Sequence, residues 1–248
     1  MSLIKSYAIV LKSINWRDTS KIITLFTREE GKISVIAKGA RRLKSKYQGI
    51  LESINLLEVV IYMSATRNLQ ILGQATLDNT YKQIRSDYEK TGYVFALLEL
   101  TDIFFKEGAI DTIFFDFLKT LLSEMEKTNN PKIIFLYFLI KLGSYLGFRP
   151  VFDKCLSCKR IITSEQSVFS MREGAIICGN CGTSADSDWI LSDSVRKSLL
   201  DLQNLNHKRL SDASLTLSEK FAYRDFLLTY LRFHSEEKLD LSSLKSFK

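Results

Sequence analysis

Four cysteines carry the most specific chemistry in this sequence, and they stand in two pairs, Cys155-Leu-Ser-Cys158 and Cys178-Gly-Asn-Cys181. Nineteen residues separate the pairs, and C-x2-C-x19-C-x2-C suits one ion held by four thiolates. A two-residue gap lets both sulfurs of a pair turn toward a common centre. Gly179 and Gly182, beside the second pair, allow the tight turn such a knuckle needs. The alternatives are two disulfides or idle thiols, and iron has the same claim as zinc on ligand type alone. Four thiolates close the tetrahedron, so the expectation is one structural zinc ion at Cys155, Cys158, Cys178 and Cys181, with no catalytic role.

A second cluster is electrostatic. The 248-residue chain has a formal charge of +7, and residues 1–80 hold twelve basic side chains against six acidic ones. Five of the twelve fall in Lys38-Gly-Ala-Arg-Arg-Leu-Lys-Ser-Lys46, where no acid intervenes. Such a concentrated positive field suits a polyanion, with nucleic acid the expected partner. The competing reading is a solvated loop kept charged for solubility.

Other chemistry is missing. Only two histidines occur, His207 and His234, both expected on helix surfaces far in sequence from the cysteines. No G-x-x-x-x-G-K-[ST] phosphate loop is present, and Gly31 and Gly39 flank a strand and open no helix, so ATP hydrolysis has no support. Asp186, Asp188 and Asp193 could form a magnesium site, but Ser192 and Asp193 stand where a helix begins, and capping is the favoured use. No catalytic residue is expected.

These groups need elements to hold them. Short runs rich in Ile, Val, Leu and Thr at Tyr7–Lys12, Lys21–Thr27, Lys32–Lys38, Ile54–Met63 and Leu69–Leu77 read as five strands of a small barrel. Arg28-Glu-Glu-Gly-Lys32 reads as a hairpin in which Gly31 takes positive φ. In the third run Ile33, Val35 and Ala37 point inward and Lys32, Ser34, Ile36 and Lys38 outward, so the basic loop continues a basic strand face. A five-stranded barrel with charged loops is the OB architecture, a frequent binder of single strands. The DNA-binding set is therefore Lys32, Lys38, Arg41, Arg42, Lys44 and Lys46.

After Leu77 the apolar period becomes helical, over Arg85–Lys106, Asp111–Lys127 and Pro131–Gly147. Asn130 and Pro131 are expected to cap the third of these, and Gly147 followed by Pro150 to end it. That helix is apolar nearly all round and is expected at the centre of a bundle, since seventeen residues carrying Lys132 and Lys141 are short for a membrane span. Two further helices are expected at Ser192–Leu205 and Leu217–His234, the last opened by a Thr216-Leu-Ser-Glu219 capping box. The first twenty residues hold no apolar core of a signal peptide, and a cytoplasmic protein is expected.

Several segments together resemble the bacterial RecO family of recombination mediators. They are Ala8-Ile-Val-Leu-Lys12, Lys21-Ile-Ile-Thr-Leu-Phe-Thr-Arg-Glu-Glu-Gly-Lys32, and Ala37-Lys-Gly-Ala-Arg-Arg42 with Lys44, Ser45 and Lys46. Gly147-Phe-Arg-Pro150 leads into the cysteine pairs, and Leu244-Lys-Ser-Phe247 matches the family's C-terminal end. Two features depart from the family: Asn15-Trp-Arg-Asp-Thr-Ser20 lacks a Gly-Glu pair often seen there, and Glu173-Gly-Ala175 has one glycine where two are common. The resemblance implies an α+β multidomain protein: an OB-fold barrel at 1–80, a helical domain at 81–150 and 190–248, and an inserted zinc module at 151–189. It further implies DNA repair and recombination without enzymatic activity. The implied activities are binding of single- and double-stranded DNA, strand annealing, partnership with RecR, and help in loading RecA onto DNA covered by single-strand-binding protein. No membrane or small-molecule substrate is implied, and the location would be the nucleoid within the cytoplasm. Competing functions are a protein-interaction scaffold whose basic loop takes an acidic peptide, and a zinc-dependent nucleic-acid enzyme. The second would need an open metal position.

Overall fold

The computed structural model describes residues 2–163, 166–181, 188–235 and 237–244. Five strands, β1 (Ser2–Trp16), β2 (Ser20–Thr27), β3 (Gly31–Ala37), β4 (Leu56–Met63) and β5 (Gln70–Asn79), close into a barrel in the order β1-β2-β3-β5-β4. Closure depends on β1, whose first half pairs with β4 and whose second half pairs with β2. A register shift between Val10 and Lys12 lets one strand serve both neighbours. For this reason β1 extends well beyond the expected Tyr7–Lys12: its polar ends have partners on different sides.

The inward set of β3, Ile33, Val35 and Ala37, joins Val10, Ile23, Leu25, Val59, Ile61 and Leu72 in the barrel core, as the period of two requires. Gly31 takes φ +67° at the β2–β3 turn, and a Cβ there would lie 2.1 Å from the Ala109 carbonyl oxygen. The fourth strand starts two residues later than expected. Ile54 has φ +81°, and Ile54 and Asn55 exchange backbone hydrogen bonds with Val10 across the β1 shift.

The helices are α1 (Lys82–Ser86), α2 (Tyr88–Phe104), α3 (Thr112–Lys127), α4 (Pro131–Tyr145), α5 (Asp193–Asn204) and α6 (Tyr223–Ser235). The expected helix from Arg85 is broken at Asp87, whose carboxylate accepts from the Lys90 amide at 3.0 Å and caps α2. Asn130 makes no side-chain cap, its own amide donating to Thr128 Oγ1, although Pro131 occupies the first turn of α4. Gly147, at φ +93°, ends that helix, with the Phe148 amide reaching back to the Gly143 carbonyl. The Thr216–Glu219 capping box does not form. The Ser218 amide is taken by Tyr223 Oη and the Thr216 carbonyl by Ser198 Oγ, so α6 begins only at Tyr223. His207 lies past the end of α5 and not on a helix.

Two compact units emerge. One comprises the barrel with α1 to α3 up to Lys127, joined by the segment from Leu241; the other runs from Thr128 to Asp240. In the first, Phe26 of the barrel packs against Phe105, Phe114 and Phe115. In the second, α4 packs on α5 and α6, and a three-stranded sheet forms from β6 (Ser167–Ser170), β7 (Ala175–Cys178) and β8 (Trp189–Leu191) in the order β7-β6-β8. Among the described residues no helix is long and apolar enough to cross a membrane.

Candidate functional site: a basic barrel face and a four-cysteine centre

The chain between β3 and β4 carries the basic run, and its apolar members fix its path. Ala40, Tyr47 and Leu51 enter the barrel core, and Tyr47 Oη donates to the Gly73 carbonyl at 3.0 Å. With those side chains inward, the residues between them must face water. Lys38, Arg41, Arg42, Lys44 and Lys46 are all exposed, and Leu43 at the tip is 98% exposed.

The six expected DNA-binding residues fall into three groups. Lys38, Arg42 and Lys44 make no ion pair or side-chain hydrogen bond among the described residues. Arg41 and Lys46 are tethered through neutral carbonyls, Arg41 Nη1 to Arg17 at 2.9 Å and Lys46 Nζ to Gly73 at 2.8 Å. Carbonyl tethers leave both charges uncompensated. Lys32 stands apart: its ammonium is half-buried and hydrogen-bonds the backbone carbonyl and the carboxylate of Asp102, with the ion pair at 3.1 Å.

The loop is also stapled to the tip of the β1–β2 hairpin. The Arg41 amide donates to the Thr19 carbonyl at 2.9 Å, and Arg17, at φ 48°, turns its own carbonyl toward the Arg41 guanidinium. The staple sets the hairpin tip, with exposed Trp16, Arg17 and Asp18, beside the basic loop, and Lys12 is exposed further along β1. Sequence reasoning passed over this hairpin because its charges are spread out; only the cross-strand staple gathers them.

The second cluster lies in the β6–β8 module. The four cysteine sulfurs lie within 4.8 Å of one another, with Cys158 Sγ 3.9 Å from Cys178 Sγ. Thiolates at about 2.3 Å from a tetrahedral ion are about 3.8 Å apart, whereas a disulfide would need about 2.05 Å. All four cysteines are free, so the disulfide alternative is not realised. The donor set fits a metal ion: Cys155 and Cys178 are buried, Cys158 and Cys181 exposed. The first knuckle turns at Lys159, φ 60°, whose amide donates to the Cys155 carbonyl at 3.0 Å, and the Cys178 amide points at Cys155 Sγ.

Burial pushes the Cys155 thiol up, but backbone donors from Cys178, Cys158 and Ser157 outweigh it and bring it down to about 6. The Cys181 thiol, donating its proton to the sulfurs of Cys178 and Cys158, is raised to about 12. Four thiols so close cannot all ionise without a cation among them, and an ion binding here would expel protons. Gly174, at φ +62° in the β6–β7 turn, lies under Tyr230: a Cβ would meet its hydroxyl at 2.3 Å.

The remaining candidates are structural. Ser192 caps α5 by accepting from the Val195 amide, and Asp193 pairs with Arg196 at 2.7 Å and Lys197 at 2.6 Å. Asp188 accepts from the Met171 amide. Asp186 and Gly182 lie outside the described residues, as does the Leu244–Phe247 segment beyond Leu244. His234 stacks on Phe148 and hydrogen-bonds the Met171 carbonyl.

Two family profiles match end to end: "Recombination protein O N terminal" over residues 1–81 and "Recombination protein O C terminal" over residues 85–243. The chain belongs to the RecO family. Its relatives include the protein called DNA repair protein RecO in Bacillus cereus strain AH187, 30% identical over 91% of this chain and 90% of the relative. The protein of that name in Caldanaerobacter subterraneus subsp. tengcongensis is 31% identical over 95% of this chain and 94% of the relative. RecO membership places the chain in DNA repair and recombination. The junction of the two profiles, between residues 81 and 85, falls at the start of α1, just past the barrel.

Proposed function

We propose that this chain is a non-enzymatic DNA-binding and strand-annealing recombination mediator, and that the barrel at residues 1–80 is its DNA-binding domain. The observation that carries the reading is the loop between β3 and β4. Lys38, Arg42 and Lys44 lack partners while Tyr47 and Leu51 anchor the chain beneath them. Arg41 and Lys46, satisfied only by carbonyls, add to the same field; Lys32, paired with Asp102, contributes least. Backbone phosphates are the complementary ligand, and neutralising two strands at once lowers their repulsion without nucleotide fuel.

The mediator role includes assisting RecA onto single-stranded DNA covered by single-strand-binding protein, with RecR and that protein as partners. It acts in the cytoplasm at the nucleoid. Cys155, Cys158, Cys178 and Cys181 hold one structural zinc ion, which cross-links the small β6–β8 sheet and supplies no reaction step.

The test uses Arg42→Glu with Lys44→Glu, because neither side chain holds the fold together. If about four cations contact a single strand, the slope of log affinity against log salt is about −2.8, or about a 50-fold loss between 50 and 200 mM salt. The double variant should weaken single- and double-stranded DNA alike, flatten the slope by about one to two units and slow annealing. Wild-type affinity and slope in a folded double variant would refute the assignment.

A further inference from the structure

Trp16 is the last residue of β1, opposite Ser20 across the hairpin, and is 42% exposed. Among the described residues its indole has no ring contact and its N–H no acceptor. The chain's other tryptophan shows the contrast: Trp189 packs edge-on against Phe221 and Phe226 at 5.6 and 5.3 Å. An isolated exposed aromatic is unremarkable in itself, but this one is held in place. Arg17 and Thr19, which follow it, accept both hydrogen bonds from Arg41, so the indole and the basic loop share one fixed end of the barrel.

The outward face continues the pattern. Ile14 pairs with Ile22, Ile22 with Ile36 and Ile36 with Ile71, and each of these side chains is at least partly exposed. Lys12, two residues before Ile14, and Lys38, one residue beyond the Lys21–Ala37 pair, belong to the same outward set. An apolar strip ending in an indole and bordered by cations matches a polymer with flat apolar groups on one side and phosphates on the other.

We infer that Trp16 stacks on an unpaired base, making this end of the barrel selective for single-stranded over duplex DNA. The inference rests on the phosphate-binding reading above and adds the group that meets the bases. Phosphate contacts are available on both kinds of DNA and cannot separate them. The π-faces of bases inside a duplex are covered by their neighbours, and only an unpaired base can offer one to an indole.

Trp16 and Trp189 are the only tryptophans, so Trp189→Phe leaves Trp16 as sole reporter; if that variant does not fold, the difference between the intact chain and Trp16→Phe isolates the same signal. Oligothymidylate of about 20 nucleotides, longer than one barrel's site, should quench Trp16 emission in step with binding followed by anisotropy. A duplex of equal length should bind without quenching. Trp16→Ala should bind the oligothymidylate about 5- to 150-fold more weakly, the range for one base–aromatic stack, with duplex affinity nearly unchanged. Unchanged Trp16 emission at saturation, or wild-type affinity of Trp16→Ala for the oligothymidylate, would overturn the inference. If the Arg42 and Lys44 charge reversals still weakened binding in that event, the phosphate reading would stand alone. If they too had no effect, both readings would fall.

Discussion

The loop between β3 and β4 and the β6–β8 module solve the same problem in opposite ways. Each is an irregular stretch that must hold several polar groups in a defined place. In the barrel loop the anchors and the functional groups are different residues: Ala40, Tyr47 and Leu51 go into the core, and the cations between them stay in water. In the cysteine module they are the same residues, since Cys155 and Cys178 are buried and Cys178 is itself the last residue of β7. The difference teaches where a substitution should be felt. Changing a loop cation should alter binding and spare the fold, whereas changing a cysteine should damage the fold before any function is measured.

The largest effect should come from Cys178→Ser. Structural zinc contributes on the order of 10 kcal/mol or more in small domains, so the variant should lose its metal and expose the module to proteolysis. Elemental analysis of the freshly purified parent chain should find about one zinc equivalent; substantially less would undo the comparison on this side. Because Cys181 without a cation holds its proton up to about 12, zinc added to metal-free protein near neutral pH should release protons. The enthalpy of binding should therefore depend on the ionisation enthalpy of the buffer.

Next in size is Tyr47→Ala, which removes a buried anchor and should cost about 3 kcal/mol in denaturant unfolding. Tyr47→Phe, losing only the hydroxyl that bonds the Gly73 and Leu72 carbonyls, should cost about 1 kcal/mol. If Tyr47→Ala left stability unchanged, the loop would not be anchored as described.

A smaller effect is expected at Asp193. Hydrogen bonds from Lys197 and Arg196 hold its carboxyl below the usual range, so its stabilising contribution is complete above the unfolded value of about 3.9 and is lost as pH falls through the lowered folded value. Asp193→Asn should flatten the acid limb of the stability curve. At neutral pH the variant should also be less stable, since Arg196 is nearly fully buried and loses its counter-charge. An acid limb identical to that of the parent would exclude this coupling.

The smallest effect belongs to Leu43, which is 98% exposed at the loop tip. Leu43→Ala should change stability by less than about 0.5 kcal/mol. A larger loss would mean that the tip itself is an anchor, and the division of labour in the loop would have to be redrawn.

Much of this was written in the sequence. Period-two alternation in residues 32–38 determined which side chains of β3 face the core, because neighbouring side chains on a strand must point to opposite faces. The cysteine spacing determined that two knuckles could meet on one ion, since a two-residue gap is short enough for both sulfurs of a pair to converge. Helix existence followed from long apolar periodicity, and so did the starts at Pro131 and Ser192, but the start of α6 did not: Thr216-Leu-Ser-Glu219 has the letters of a capping box, yet Tyr223 Oη takes the Ser218 amide and Ser198 Oγ donates to the Thr216 carbonyl. The strand start at Ile54 failed for the same reason, its backbone being committed to Val10.

Tertiary structure alone decided which cations are free. Lys32 and Lys38 are equivalent in the alternating pattern, but Lys32 meets Asp102, seventy residues away in sequence, while Lys38 meets no acid among the described residues. It also decided that Trp16 and Arg17 share an end of the barrel with the basic loop, through bonds from Arg41 to Arg17 and Thr19. Charge and polarity are local properties that composition and spacing reveal directly. Whether a charge is neutralised, or a ring is covered, depends on groups that only the closure of the barrel brings within reach.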